Sequence, residues 1–132
     1  LRYLLEGIDV NWIDWTEDTE IEEIKKFSVG IMPLADDPWS AGKCGFKLIQ
    51  YMACKLPVIA SPVGVNKELI VNGINGFLVS GIEDWKRSIL FLADNPVEAM
   101  IMGKRGYAKF SDNYSLESVT EKYITVIKSS IR

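Results

Sequence analysis

One stretch of the chain, residues 27–63, constrains the fold more than any other part. It contains an apolar run at Val29–Met32, a polar loop with glycines, a helical segment that begins near Gly45, and a second apolar run at Pro57–Ala60. Short apolar runs bounded by turn residues predict buried strands, and two such strands joined by a helix predict a βαβ unit. The loop would then lie beyond the carboxyl end of the first strand, where open α/β sheets bind their ligands.

The segments outside this unit first continue the strand and helix alternation and then become helices alone. Such a pattern predicts one α/β domain over residues 1–132, with a mostly parallel sheet flanked by helices and followed by C-terminal helices. Before the βαβ unit, the predicted elements are a helix end at Leu1–Leu5 closed by Gly7, a strand at Ile8–Ile13, and a helix capped by Thr16 with Ile21, Ile24 and Phe27 on its apolar face. After the unit come a short helix at Asn66–Val71, a strand at Phe77–Val79, and helices from Ile82 to Asn95-Pro96 and from Val97. A last helix is capped by Ser115 and has Leu116, Val119, Tyr123 and Val126 or Ile127 on its inner face.

The composition is that of an ordinary globular chain and excludes several classes of function. With 132 residues, 48% of them apolar and 25% charged, the chain can bury one core. The net charge of −3 argues against a nucleic-acid surface. The absence of histidine excludes histidine-based catalysis, and Cys44 and Cys54, at opposite ends of one helix, predict neither a disulfide nor a metal site. No apolar run approaches the roughly 20 residues of a membrane span, so we expect a soluble, cytoplasmic protein.

The loop that precedes the Gly45 helix has the features of an anion site. A helix N-terminus carries unpaired N–H groups and a partial positive charge, and glycine lets an anion approach the backbone closely. The pattern therefore predicts a cradle formed by Gly42, Gly45 and the N–H groups of Cys44 to Lys47, with a full charge from Lys43 or Lys47. Glycines before a helix are more often turn residues, so spacing alone leaves both interpretations open.

Two aspartates in the same loop have a simpler interpretation than a catalytic pair. Asp36 and Asp37 stand directly before Pro38. Aspartate next to proline is a common turn element, because its short side chain hydrogen bonds to nearby backbone N–H groups. We therefore expect these two residues to shape the loop.

Three runs of sequence, in order, resemble one known family. They are V-G-I-M-P-L at residues 29–34, W-S-A-G-K-C-G-F-K-L-I-Q-Y-M-A-C-K-L-P-V-I-A-S at residues 39–61, and G-V-N-K-E-L-I-V-N-G-I-N-G-F-L-V at residues 64–79. Together they resemble the C-terminal, donor-binding half of family 4 glycosyltransferases of the GT-B fold, and the resemblance covers nearly the whole chain. It implies a Rossmann-like sheet that forms part of a GT-B C-terminal domain.

The resemblance also implies an activity and a site. The implied reaction transfers a sugar from a nucleotide-diphosphate donor to a glycan or lipid-linked acceptor, as in polysaccharide biosynthesis at the inner face of a membrane, with peripheral membrane association through parts outside this chain. The nucleotide sugar is a substrate, and neither a cofactor nor a metal is implied. No residue is assigned as catalytic. The implied donor-binding residues are Gly42, Lys43, Cys44, Gly45, Phe46, Lys47 and Gln50.

The chain departs from the family at both of its marker carboxylates. The family pattern E-x-x-x-x-x-x-x-E uses the second glutamate for the ribose hydroxyls and the first for the transferred sugar. Gln50 and Gly42 stand at these two positions. Lys55 stands where the family usually has glycine, at a position suited to a left-handed backbone. These departures leave a second hypothesis open, a degenerate module that binds a nucleotide or a protein without catalysis.

The resemblance further predicts that the chain is a fragment. It begins without methionine, and neither the first strands of the donor-binding half nor the acceptor-binding half is present. We expect the fragment to be inactive alone. An apolar patch should remain where the missing strands would pack, so self-association is also expected.

Overall fold

The structure, a computed structural model, describes residues 7–131, and its centre is a three-stranded parallel sheet. The strands are β1 (Gly30–Met32), β2 (Val58–Ala60) and β3 (Gly76–Leu78), and β2 lies between the other two. All three residues of β2 are buried, as expected for a central strand covered on both faces. The predicted α/β fold with a parallel sheet is confirmed.

Helices precede, connect and follow the strands. No helix within residues 7–131 combines the length and the apolar composition needed to cross a membrane. The helices are α1 (Glu20–Ile24), α2 (Pro38–Ala41), α3 (Phe46–Ala53), α4 (Asn66–Leu69), α5 (Ile82–Asp94), α6 (Pro96–Asn113) and α7 (Leu116–Ser130).

The predicted βαβ unit is present as β1, α3 and β2. Helix α3 begins at Phe46 with Gly45 as its N-cap residue, close to the predicted start. Its buried side chains include Leu48 and Met52, which join Val58 of β2 in the larger of two apolar clusters. Helix α3 therefore lies against the sheet on one side, and it packs against α6 as well. Burial of these side chains stabilises the crossover by roughly 1.5–3 kcal/mol each.

The turn that ends α3 contacts α6 at a glycine. Lys55 has a φ of 60°, so the left-handed backbone expected at this position is confirmed despite the absence of glycine. Its ammonium group lies 4.7 Å from the centre of the Tyr107 ring, and this cation–π contact offsets part of the backbone strain. The Lys55 carbonyl oxygen faces Gly103 so closely that a Cβ atom there would lie 1.9 Å from it. Helix α6 can approach α3 this closely only at a glycine.

The strand predicted at Ile8–Ile13 is absent, and that prediction is wrong. The segment is irregular and solvent-exposed throughout. A strand gains its hydrogen bonds only from a neighbour, and β1 has no partner on its outer side among the described residues. Ile31, in the middle of β1, is 48% exposed. The segment Ile8–Ile13 therefore carries a strand-like pattern but leaves the outer edge of β1 unpaired.

The helix predicted from Thr16 is shorter than expected. Helix α1 begins only at Glu20, and Thr16 instead accepts hydrogen bonds at its carbonyl oxygen from the N–H groups of Thr19 and Glu20, at 3.3 and 3.0 Å. Of the predicted apolar face, Ile24 is buried while Ile21 and Phe27 are exposed. The helix predicted at Leu1–Leu5 lies outside the described residues.

The C-terminal helices confirm the predicted boundaries but not the predicted inner face. Asn95-Pro96 separates α5 from α6, and Ser115 caps α7 by accepting a hydrogen bond from the Ser118 N–H group at 3.2 Å. No residue of α7 is buried. The predicted inner face is therefore wrong for most of its members, since α6 contacts α7 but only Val119 of that face is half-buried. Its exposed apolar members are Leu116, Tyr123, Val126 and Ile127.

We predict that Gly103→Ala destabilises the fold, whereas Gly106→Ala, in the same helix, does not. The new Cβ at position 103 overlaps the Lys55 backbone and should lower the free energy of unfolding by about 2 kcal/mol. At position 106 the nearest atom is the flexible Met52 side chain at 3.3 Å, and the gain of about 1 kcal/mol in helix propensity should offset the tight contact. Urea denaturation measures both, and equal stabilities would contradict the prediction.

Candidate functional site

The candidate site lies at the carboxyl end of β1, where two loops are held together. The Leu34 N–H group, just after β1, donates to Ser61 Oγ, just after β2, at 2.9 Å. Further along, Gly64 has a φ of 52° and lies so close to Ala41 that a Cβ atom would be 2.4 Å from the Ala41 carbonyl oxygen. The loop between β1 and α3 is therefore supported by the loop after β2. This is the position predicted from the sequence.

Asp37 organises the first half of the loop as a helix cap. Its Oδ1 accepts a hydrogen bond from the Ser40 N–H group at 2.9 Å, and its Oδ2 accepts one from Ser40 Oγ at 3.1 Å. The backbone hydrogen bond from Ser40 is the main cause that lowers the pKa of Asp37. These contacts begin α2 at Pro38. The expectation that Asp37 shapes the loop is confirmed.

Gly45 is required at the start of α3 for two reasons. Its φ is 70°, and a Cβ atom would lie 2.5 Å from Leu69 Cδ1 and 2.9 Å from Val65 Cγ1. Its carbonyl oxygen accepts from the Leu48 and Ile49 N–H groups, at 2.9 and 3.2 Å. Within the described residues, the N–H groups of Phe46 and Lys47 have no acceptor. The predicted anion cradle therefore has two free donors at the N-terminus of an eight-residue helix.

Gly42 differs from Gly45, because nothing in its surroundings requires glycine. Its φ and ψ are −79° and −3°, and a Cβ atom would meet only ordinary contacts, the nearest at 3.6 Å. A Cβ atom at this position would therefore fit without displacing its neighbours. The absence of a carboxylate at position 42 is therefore not imposed by the fold.

The predicted site residues next to these glycines face solvent. Lys43 and Cys44, between the two glycines, and Phe46, after the second, are all exposed, and Cys44 is a free thiol. Trp39, three residues before Gly42, is 82% exposed. The loop therefore presents these side chains to solvent rather than to the core.

Lys47 does not face the glycine loop. Its Nζ lies 3.3 Å from Glu20 Oε1 of α1, on the side of α3 that faces the N-terminal segment. The pair borders a cavity of about 170 Å³ between this segment, α1 and α3. The other residues that line this cavity are Ile13, Asp14, Trp15, Thr16, Thr19, Glu23, Ile24, Phe27 and Tyr51.

Gln50, one turn after Lys47, is the buried polar residue of the site. Its side chain is only 9% exposed, and Oε1 is the one buried side-chain oxygen or nitrogen in residues 7–131 that has no hydrogen-bond partner. A buried acceptor without a donor costs about 1–3 kcal/mol. Such a group is typical of a binding site in which a ligand supplies the missing donor.

Glu20 is the member of the site that sequence reasoning missed. It lies 27 residues before Lys47, and no motif links the two positions. Partial burial acts to raise the pKa of its carboxyl group, but interactions with Lys47, Gln50 and Trp15 outweigh that effect and lower the pKa. A mixed-charge helix face was the only signal in the sequence, and it is common to many surface helices.

We predict that Gly45→Ala and Gly42→Ala differ in stability although they lie three positions apart in one loop. Alanine at position 45 must adopt a left-handed backbone and displace Leu69, so the free energy of unfolding should fall by at least about 1–2 kcal/mol. Alanine at position 42 should change it by less than about 0.5 kcal/mol. Thermal denaturation of both variants measures the difference, and a destabilised Gly42→Ala variant would contradict this geometry.

Comparison with known proteins gives relatives that are all glycosyltransferases or sugar synthases by name. A probable sucrose-phosphate synthase of Thermosipho melanesiensis is 33% identical over 84 residues, which are 64% of this chain and 19% of that protein. A poly(ribitol-phosphate) α-N-acetylglucosaminyltransferase of Staphylococcus aureus is 31% identical over 88 residues, which are 64% of this chain and 18% of that protein. The chain thus spans about a fifth of the length of these relatives.

Solved structures share the fold at lower identity. HepE from Anabaena, in complex with UDP and glucose, has a TM-score of 0.79 and 20% identity over 97% of this chain and 34% of that chain. The C-terminal domain of the group 1 glycosyl transferase LpcC from Francisella tularensis has a TM-score of 0.62 and 20% identity over 81% of this chain and 53% of that domain. The predicted GT-B-like C-terminal fold is confirmed by these neighbours.

The sequence profile of one family covers most of the chain. Residues 1–95 match the family described as Glycosyl transferases group 1. This match includes the loop, α3 and Gln50, so the site described above lies within the residues that match the family. The chain belongs to the family Glycosyl transferases group 1.

Proposed function

We propose that this chain is the donor-binding part of a family 4 glycosyltransferase, which transfers a sugar from a nucleotide-diphosphate donor to a glycan or lipid-linked acceptor. The observation that carries the proposal is the buried, unpartnered Oε1 of Gln50 on the helix whose N-terminal donors are free. A hydroxyl group of the donor nucleotide supplies the hydrogen bond that Oε1 lacks. The diphosphate accepts hydrogen bonds from the Phe46 and Lys47 N–H groups.

The proposed residues divide between two parts of the donor. Gly42, Lys43, Cys44, Gly45 and Phe46 form the edge at which the diphosphate and sugar bind, while Gln50 binds the nucleoside. These residues contribute electrostatic stabilisation, because the departing nucleotide diphosphate gains negative charge as its bond to the sugar breaks. Backbone N–H groups and the Lys43 ammonium group stabilise that charge without needing a proton transfer. We propose a retaining transfer that does not depend on a metal ion, and no residue of this chain is assigned as its general base.

The nucleotide part of the proposal is supported by the neighbouring structures. HepE was solved with UDP and glucose and with UDP-glucose, and it shares 20% and 17% identity with this chain in those two structures. Among the relatives, the names cover sucrose phosphate, trehalose and poly(ribitol-phosphate) as products or acceptors. A UDP-sugar is therefore the first donor to test, while the acceptor stays open between a small sugar and a polymer.

The setting of the reaction is part of the proposal. A chain that spans about a fifth of its relatives supplies part of their function at most. We propose that residues 1–132 act as a single domain beside an acceptor-binding half, on the cytoplasmic face of a membrane that the other half contacts. The exposed face of α7 and the free edge of β1 account for the expected self-association of the isolated chain.

One specific observation favours a second function, binding without catalysis. Neither marker carboxylate is present, and Gly42 offers no side chain to the transferred sugar even though the fold has room for one. In this alternative the protein binds the nucleotide and does not turn the donor over. An assay of free UDP released from UDP-glucose, with a mixture of sugar and polymer acceptors, separates the two functions. The Gly42→Glu variant adds the missing group without steric cost, and turnover gained only in that variant would favour the alternative.

We predict that Gln50→Leu weakens nucleoside diphosphate binding about tenfold in the full-length protein, the equivalent of about 1.4 kcal/mol. Leucine has a similar size and keeps the position buried, but it cannot accept a hydrogen bond from the ligand. Isothermal titration with UDP, GDP and ADP measures the affinity. Cys54→Ala, at the other end of α3, is the matched control and should bind like the unaltered protein. Unchanged affinity in Gln50→Leu would remove Gln50 from the site, and no binding of any nucleotide would overturn the proposed function.

A further inference from the structure

A buried amide, that of Asn66, lies between the loop after β2 and the start of α3. Asn66 is the first residue of α4 and is only 1% exposed. Its Nδ2 donates a hydrogen bond to the Ser61 carbonyl oxygen at 3.0 Å. Its Oδ1 lies 3.7 Å from the position that a Cβ atom on Gly45 would occupy. The side chain of Asn66 therefore reaches from the end of β2 to the residue that caps α3.

The chemistry of an amide fixes which end of Asn66 faces α3. A backbone carbonyl oxygen only accepts hydrogen bonds, so the end that contacts Ser61 must be the NH₂ group. The oxygen is thereby directed towards Gly45, where α3 begins. The N-terminus of a helix carries a partial positive charge, and the partial negative charge of an amide oxygen is favourable there.

Ser61 extends the same connection to the loop after β1. Its Oγ accepts a hydrogen bond from the Leu34 N–H group at 2.9 Å, and its own N–H group donates to the Met32 carbonyl oxygen of β1 at 3.1 Å. Ser61 is buried as well. The loop after β1, the loop after β2 and the start of α3 are therefore joined through two buried polar side chains, those of Ser61 and Asn66.

The side chain at position 66 is neutral, although aspartate has the same size. A carboxylate there could not donate to the Ser61 carbonyl oxygen. It would also place a full negative charge next to Gly45, directly before the Phe46 and Lys47 N–H groups, which have no acceptor among the described residues. Like charges repel more strongly in a buried environment than in water. The amide makes the connection and leaves the N-terminus of α3 available to an anion.

We propose that Asn66 is a positioning residue for the donor diphosphate, which holds the loop after β2 against the start of α3 and does so without a charge. The inference rests on the proposed function and deepens it, since it names the side chain that sets the position and the charge of the diphosphate-binding part of the site. Asn66 is buried, so it acts through α3 and does not itself contact the reacting atoms.

The test compares three variants of the full-length protein. Asn66→Asp keeps the size of the side chain and adds a charge, whereas Asn66→Leu removes both polar ends and adds none. Asn75→Leu is the matched control, because Asn75 is buried to a similar extent and its amide makes two hydrogen bonds to the backbone at the end of α4 and in the turn after it. Circular dichroism checks the folding of each variant, and Asn66→Leu is sufficient for the test if Asn66→Asp does not fold.

Each variant is titrated with UDP, UMP and uridine, and with the guanosine and adenosine series in parallel, at pH 8, which favours the ionised form of the introduced carboxyl group. We expect Asn66→Asp to lower the affinity for UDP at least about tenfold, with a smaller loss for UMP and the smallest for uridine, because the repulsion grows with the charge of the ligand. Asn66→Leu should lower the affinity for UDP about threefold and for UMP less. Asn75→Leu should bind all three ligands like the unaltered protein.

The possible results separate this inference from the proposed function. If the unaltered protein binds UDP but Asn66→Leu keeps its full affinity, or loses as much for UMP as for UDP, the inference is overturned and the proposed function stands. Losses in Asn75→Leu that equal those in Asn66→Leu would show that Asn66 only stabilises the fold, and this also overturns the inference. Failure of the unaltered protein to bind a nucleotide of any series would overturn the proposed function, and this inference with it.

Discussion

The site depends on how helix α3 is fixed at its two ends by contacts that only glycine allows. At its start, the Gly45 backbone packs against Leu69 and Val65 with no room for a Cβ atom. At its end, the Lys55 carbonyl oxygen packs against Gly103 of α6 in the same manner. Between these two contacts the helix buries Leu48 and Met52 in the core. These contacts determine how α3 lies on the sheet, and with it the position of its free N–H groups and of Gln50.

The elements that could be predicted are those whose stability comes from their own neighbours in sequence. The β1–α3–β2 unit follows from two apolar runs and the helical segment between them, and several of its buried residues, among them Leu48, Met52 and Val58, lie within the same stretch of chain. The segment Ile8–Ile13 and the apolar side of α7 show the opposite case. Both carry a regular pattern, yet Ile8–Ile13 stays irregular beside the unpaired edge of β1, and α7 buries no residue because the described chain does not cover most of its apolar side.

The candidate site was predictable in position and incompletely predictable in composition. A loop after a strand and before a helix can be located from local signals, and Gly45 was correctly placed at the start of α3. The direction of Lys47 could not be predicted, because a residue near the start of a helix can face either the loop or the flanking helix. That choice is made by Glu20, whose position depends on how α1 packs against α3. Spacing in sequence carries no information about such a contact.

The two ends of the candidate site, at Gln50 and at Gly42, differ in how many side chains the described residues place there. Around Gln50 the surroundings are built, with a buried acceptor and, one turn earlier on α3, the ion pair between Lys47 and Glu20. Around Gly42 few side chains are in place, since that residue has none and Trp39 is almost fully exposed to solvent. Under the proposed function, the fixed polar groups around Gln50 bind the nucleoside, whereas the described residues offer little with which to select the sugar. The part of the relatives that this chain matches is only about a fifth of their length, so selection of the sugar is the step that these residues explain least.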